Sequence, residues 1–242
     1  MADTTKTKRQ AREAGPELTV AIMAYNEEKT LHAVIEGLVA ELERLQVSHE
    51  VLVIDDGSSD RTGEIAAGWA RENRRIRVIN HRPNLGLGEV YRTGFRQCRG
   101  DFVTFFPADG QFEPSVIGDY LAKNRGADLV LGYTVEERRD ALSELLSAAE
   151  RLLFRLLMGS LPDFRGIIMF RRSLLEQFEL ASTGRGQMIM LELILKAQRG
   201  GCTIDRQRIT ILPRQEGKSK VNNLRTIWAN AVQLLQLRIR TG

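Results

Sequence analysis

"EVLVIDDGSSDRT", Glu50 to Thr62, is the stretch on which the fold turns. Its apolar run, Val51 to Ile54, is rich in β-branched residues and bounded by turn formers, the pattern of a strand buried on both faces. The run stops at Asp55, Asp56 and Gly57, turns through "GSSDRT", and passes into the helical "GEIAAGWARE". A buried strand, a short polar turn and a helix make one βα unit, and the neighbouring sequence repeats that grammar.

Upstream, "LTVAIMAY" reads as a strand and "EEKTLHAVIEGLVAELERL" as a helix with apolar residues at helical spacing. Downstream come the strand "IRVINH", the glycine-rich "NLGLG" opening a helix to about Cys98, and the strands "DFVTFFPAD" and "ADLVLGYT". Strands joined by single helices cross over right-handed, which predicts an α/β fold: a mostly parallel, Rossmann-like sheet with helices on both faces. The later sequence is less regular. "DALSELLSAAERLLFRLLMG" and "NNLRTIWANAVQLLQLRI" read as amphipathic helices, "GIIMFRRSLL" as a strand running into a helix, "QMIMLELILKAQRGG" as a helix closed by glycines, and "TIDRQRITIL" as an edge strand. The expected division is a basic flexible tail over 1–16, one domain over 17–220 and a terminal amphipathic helix over 221–242.

Length, charge and cysteine count narrow the function. A chain of 242 residues can bury one sizeable core. The net charge of +4 gathers in "KTKRQAR", "RQEGKSKVNNLR" and "LRIR", which suits an anionic surface or a phosphorylated ligand. No nucleic-acid-binding signature accompanies it, so nucleic acid is not expected as a partner. Cys98 and Cys202 are far apart and lack metal-ligand spacing, in keeping with a reducing compartment. No apolar run has the length of a membrane span, so the expectation is a protein that lies on a membrane at most.

Ligands of open parallel sheets bind at the carboxyl ends of the strands. Tyr25, Asn26 and Glu27 end the first strand, Asp55 and Asp56 the second, and Asp109 and Gln111 follow the fourth. Four acids at one edge point to a polar ligand with a cation, whereas Asp60 reads as an ordinary acid of a first helical turn. The segment "FFPADGQFEP", Phe105 to Pro114, raises the sharper question, because it offers one carboxylate, Asp109, after Pro107.

In order, "MAYNEEKTL", "VLVIDDGSSDRT", "NLGLGEVYRTGFRQCRGD", "PADGQFEP" and "RQEGKSK" resemble the motifs of family 2 glycosyltransferases, and within them the dolichyl-phosphate mannose synthase and polyprenyl-phosphate glycosyltransferase branch. That resemblance implies a GT-A fold and an inverting hexosyltransferase. It places Tyr25 and Glu27 beside the base, Asp56 on the ribose or base with Asp55 close by, and Gly86 and Gly88 where the backbone passes near the ligand. It makes Asp109, with Gln111, the ligand of Mg²⁺ or Mn²⁺. The family's motif reads Asp-Ala-Asp, and Pro107 stands where the first acid would be. Mg²⁺ often takes one or two carboxylates and fills its shell with water and phosphate, so one acid is sufficient in principle.

The basic loop Arg214, Ser219 and Lys220 matches the family's phosphate-contacting element, and Arg139 with Ser143 matches its Arg-x-x-x-Ser spacing. Arg214 and Lys220, with Asp109, are the residues expected to act on the departing diphosphate. Glu192 reads as a residue that orients the acceptor or structures its helix. The implied partners are a nucleotide sugar (GDP-mannose first, a UDP-hexose second), a polyprenyl phosphate and an anionic membrane surface at the cytoplasmic face. The apolar stripe Leu142, Leu145, Leu146, Ala149, Leu152 suits a membrane interface, a core or a second copy of the chain equally. Two alternatives stand beside this reading: transfer to a saccharide or lipid hydroxyl, and a degenerate protein that binds sugar nucleotides without turnover.

Overall fold

The computed structural model describes residues 15–134 and 164–213. β1 (Leu18–Ala24), β2 (His49–Asp55) and β3 (Ile76–Asn80) alternate with α1 (Leu31–Arg44), α2 (Thr62–Glu72) and α3 (Leu87–Gln97). β4 (Phe102–Pro107), α4 (Val116–Asn124) and β5 (Leu129–Tyr133) follow. Next come β6 (Ile168–Arg171), the short α5 (Ser173–Gln177), α6 (Met188–Arg199) and β7 (Ile204–Arg208). The helices expected over 140–159 and 222–239 lie outside the described residues.

All of these strands join a seven-stranded sheet in the order β3-β2-β1-β4-β6-β5-β7. β1 pairs in parallel with β2 and β4, β2 with β3, and β5 with β7. β6 alone runs antiparallel, between β4 and β5. The sheet is therefore mostly parallel, as the alternation of strands and helices requires, and β7 closes one edge as its alternating polarity predicted.

Successive residues of a strand face opposite sides of the sheet. Val20, Ile22, Val51, Val53 and Phe106 pack on one face with α1 residues Leu31, Ile35 and Leu38. Ala21, Leu52, Ile54, Val103 and Phe105 pack on the other with Val90 and Tyr91 of α3 and Leu193 and Ile194 of α6. Helices on both faces give three layers, with Tyr91 and Phe95 meeting Phe105 edge-on at 4.8 and 5.5 Å.

The amino end of the sheet is sealed by a buried acid. Glu50 accepts hydrogen bonds from Thr19 Oγ1 (2.8 Å), the Arg99 amide (2.8 Å) and Arg77 Nη1 (3.0 Å). Such an acid ties strands together and leaves the opposite, carboxyl rim for ligands.

Helix α3 lies so close to β4 that a Cβ on Gly94 would stand 2.4 Å from Phe105 Cε1. Gly94→Ala is expected to lower stability by about 1–3 kcal/mol, the usual cost of overpacking, read as an earlier midpoint in urea unfolding.

Candidate active site

The carboxyl ends of β1, β2 and β4 are neighbours because β1 lies between the other two. The loops after β1 and β2 are stitched together. Asn26, in the left-handed region at φ 55°, donates its backbone amide to Ser58 Oγ (2.8 Å), and its Oδ1 accepts from the Ser59 amide (2.8 Å). The Glu27 amide donates to Thr62 Oγ1 (2.8 Å) and the Glu28 amide to Asp60 Oδ2 (3.2 Å). Burial works to raise the Asp60 carboxyl, but bonds from the Thr62 hydroxyl and from the Thr62 and Glu28 amides outweigh it and hold the pKa below its ordinary value. "YNEE" and "DDGSSDRT" are thus two halves of one clamp.

Asp55 and Asp56 point to opposite sides of the sheet. Asp55 accepts from the amide and hydroxyl of Ser58, at 3.1 and 2.5 Å, on the α2 side. On the α3 side, Asp56 Oδ1 accepts from His81 Nδ1 (2.8 Å) and the Leu85 amide (3.0 Å). Asp56 Oδ2 accepts from Asn84 Nδ2 (2.7 Å) and the Gly86 amide (2.8 Å). His81 Nε2 in turn meets Thr93 Oγ1 at 2.9 Å. A carboxylate has about four lone-pair sites, and protein donors fill those of Asp56. In this structure it folds residues 84–86 back onto the end of β2.

The glycines of "NLGLG" likewise have a protein partner. A Cβ on Gly88 would fall 2.0 Å from the Gly184 carbonyl oxygen, and the Gly88 amide donates to the Arg185 carbonyl (2.7 Å). The close approach expected of these glycines is made by the segment 179–187. Arg92 Nη1 donates to the Ser182 carbonyl (3.0 Å), and Glu192 takes the amides of Ala181 and Ser182. Glu192, almost fully buried, also meets Lys196 Nζ at 3.0 Å, and Lys196 reaches the Glu179 carbonyl. Burial pushes the Glu192 carboxyl up, but bonds from Ser182, Ala181 and Lys196 prevail and its pKa is lowered. So this acid anchors a strap across α3 and α6. Arg185, on the strap, places Nη2 2.8 Å from Asn84 Oδ1. The motifs did not point to Arg185. A lone acid in the apolar run "MIMLELIL" was the signal for its anchor.

At the end of β4 the chain turns. Asp109 Oδ1 accepts the Gln111 amide (3.1 Å), and Gln111 Nε2 donates to the Leu212 carbonyl (3.3 Å), which leaves Oε1 as the amide's acceptor. Pro107, the last residue of β4, is in register with Met23. The next amide, Ala108, donates to the Met23 carbonyl (3.0 Å). Backbone directions alternate, so the Pro107 nitrogen faces the β6 side, beyond the last rung Thr104–Met169. Proline there removes no ladder bond. Asp109 and Gln111 supply hard oxygen donors of the kind Mg²⁺ and Mn²⁺ take. Among the described residues no group of three or more His, Cys, Asp or Glu side chains could hold a metal by itself, so phosphate and water would have to complete a shell here. Tyr25 is exposed at the end of β1, and Glu27 Oε2 accepts from Thr30 Oγ1 (3.1 Å). Arg139, Ser143, Arg214, Ser219 and Lys220 lie outside the described residues.

The profile of glycosyl transferase family 2 matches residues 19–178. The undecaprenyl-phosphate mannosyltransferase of Micrococcus luteus is 30% identical over 244 residues, covering 91% of this chain and 97% of that protein. The putative glycosyltransferase EpsH of Bacillus subtilis is 27% identical over 188 residues, covering 73% of this chain and 53% of that protein; the chain spans about half the length of that relative. Glucosyl-3-phosphoglycerate synthase from Mycobacterium tuberculosis, solved with Mn²⁺, UDP-glucose and phosphoglyceric acid, gives a TM-score of 0.66 at 22% identity, over 95% of this chain and 82% of that one. This last likeness is one of fold, the GT-A arrangement that the motifs imply.

Asp56→Ala strands several buried donors and is expected to cost about 3 kcal/mol or more of stability in urea unfolding. Glu192→Gln is expected to loosen the strap, read as faster tryptic cleavage after Arg185 while the strands stay protected. Because the folded-state pKa of Glu192 is lowered, its contribution is complete above the unfolded value of about 4.3 and is lost as pH falls through the lower folded value. The wild-type strap should loosen in that acid window, and the Gln variant should show no such step.

Proposed function

This chain belongs to glycosyl transferase family 2, and from that premise we propose that it moves a hexosyl unit, with inversion, from a nucleoside-diphosphate sugar to a polyprenyl phosphate at the cytoplasmic face of a membrane. The observation that carries the reading is the end-to-end likeness to the Micrococcus undecaprenyl-phosphate mannosyltransferase. A GDP-mannose-type donor is the first assignment and a UDP-hexose the second.

The donor would lie across the carboxyl ends of β2, β1 and β4, with Tyr25 and Glu27 along the nucleoside and Asp109 toward the diphosphate. Asp109 and Gln111 Oε1 would hold Mg²⁺ or Mn²⁺, which when bound neutralises charge on the leaving diphosphate. Arg214, Ser219 and Lys220, with Arg139 and Ser143, are assigned to phosphate groups on motif alone. A phosphate monoester is largely dianionic at neutral pH, because its second pKa is about 6, so its oxygen attacks the anomeric carbon without a strong base. The protein's tasks are then in-line positioning and stabilising the leaving group. Glu192 fits this scheme as an anchor, since its carboxylate is already taken by Ala181, Ser182 and Lys196. Among the described residues no helix is long and apolar enough to cross a membrane. Contact with the lipid surface is assigned to the apolar residues over 142–157 and to the segment 221–242, both outside the described residues.

A donor screen tests the reading by following nucleoside diphosphate release with polyprenyl phosphate or a saccharide hydroxyl as acceptor, in Mg²⁺, Mn²⁺ or chelator. Release should need the polyprenyl phosphate, stop in chelator, and fall by about 10²-fold in Asp109→Asn. Equal release with a hydroxyl acceptor would favour that alternative. Nucleotide binding without turnover under any divalent cation would favour the degenerate one.

A further inference from the structure

We infer that Arg185 reads the base of the donor nucleotide, through a fork of N–H donors that selects a 6-oxopurine such as guanine. The inference rests on the donor reading above and specifies which nucleotide the site takes.

Position is the first argument. β1 separates β2 from β4, and strands are spaced about 4.8 Å apart, so the two strand ends lie about 10 Å from each other. A donor whose diphosphate sits at Asp109 and whose nucleoside crosses β1 brings its base over the end of β2. Asp56 is there, but its acceptor sites are filled by His81, Asn84, Leu85 and Gly86. Base recognition must come from another group at the same place.

Arg185 is that group, and it is held ready. Asn84 donates Nδ2 to both the Asp56 carboxylate (2.7 Å) and the Asp56 carbonyl (2.8 Å), which turns its Oδ1 toward Arg185 Nη2. A Cβ on Gly86 would meet Arg185 Cβ at 3.1 Å and Nε at 3.2 Å, so the arginine stem lies against that glycine. The strap beneath is fixed by Glu192, Arg92 and the Gly88 amide. An exposed arginine ordinarily gives up much rotamer freedom on binding. Here the folded protein has already restricted it, which favours affinity.

Chemistry selects the base. Arg185 bonds only Asn84 among the described residues, through Nη2, at 2.8 Å to Oδ1 and at a long 3.4 Å to the carbonyl oxygen; Nη1 is open, and a ligand acceptor that replaces only the long, weak Nη2 bond completes a donor fork. The O6/N7 edge of guanine or hypoxanthine presents two adjacent acceptors, whereas adenine places an amino donor at position 6 and a pyrimidine offers no such pair. Tyr25 and Leu85, exposed by 39% and 38%, offer apolar surface along the same rim.

Isothermal titration of the full chain in Mg²⁺ with GDP, IDP, ADP and UDP tests the inference. GDP and IDP should bind alike and more tightly than ADP or UDP. Arg185→Ala should weaken GDP and IDP by about ten- to a hundred-fold, the range one bidentate purine contact supplies, with ADP and UDP nearly unchanged. Arg185→Lys should not restore the preference, since an ammonium keeps the charge and loses the fork. A wild-type preference for UDP or ADP, an Arg185→Ala variant that still separates IDP from ADP, or full rescue by lysine overturns the assignment and leaves the donor reading standing. A wild-type chain that binds none of the four removes the donor reading, and the inference with it.

Discussion

The buried carboxylate of Asp56 is the constraint on which the rim of the sheet depends. It is 4% exposed at the end of β2, and four hydrogen-bond donors converge on it. Bonds to an ionised acceptor are about twice as strong as neutral ones. A buried charge is tolerable only when its acceptor sites are met, so each donor matters. His81 extends the network to Thr93 in α3, and Asn84 extends it to Arg185 on the strap. Residues more than a hundred positions apart are thereby set in one frame around the end of β2.

The two acids of "VIDDGSS" look like a pair aimed at one ligand, and strand geometry separates them. Side chains alternate, so Asp55 follows Val53 toward α2 while Asp56 follows Ile54 toward α3. Each fastens a different loop. The same economy explains why the motif is so recognisable: Asn26, Ser58, Ser59, Asp60 and Thr62 bind one another across two loops. A change in any one leaves a partner unsatisfied. Much of what a motif keeps constant here is the shape of the cleft's wall.

That distinction also marks how far the sequence could be read. Strands β1 to β5 carry apolar runs bounded by turn residues, and the βα alternation fixes the parallel pairing of β1 to β4. β6 is only Ile168–Arg171, and nothing local says that it will enter antiparallel between β4 and β5. Its place is decided by partners distant in the chain. At the site, Tyr25, Asp109 and Gln111 fall on the rim because strand ends do. The strap was invisible, since "ASTGRG" carries only loop chemistry and its order comes from Glu192, Arg92 and Gly88. The glycines of "NLGLG" allow a close approach, and in this structure the backbone of Gly184 and Arg185 lies against them.

Pro107 is best understood through the same backbone logic. Its nitrogen faces a side of β4 where pairing with β6 has already ended at Thr104, so the sheet loses nothing by having no N–H there. An acid at this position would bring ligand capacity but no structural bond, and its replacement is therefore neutral to the fold. Proline fixes φ near −65° and narrows the unfolded ensemble. It thus stiffens the exit of β4 two residues before Asp109, whose Oδ1 is set by the Gln111 amide across a tight turn. Stiffening the support of the remaining carboxylate lowers the entropy lost when a ligand fixes it, which acts in the same direction as a second ligand would. A rigid mount for Asp109 would suit the cation proposed above, whose shell the substrate's own phosphates would complete.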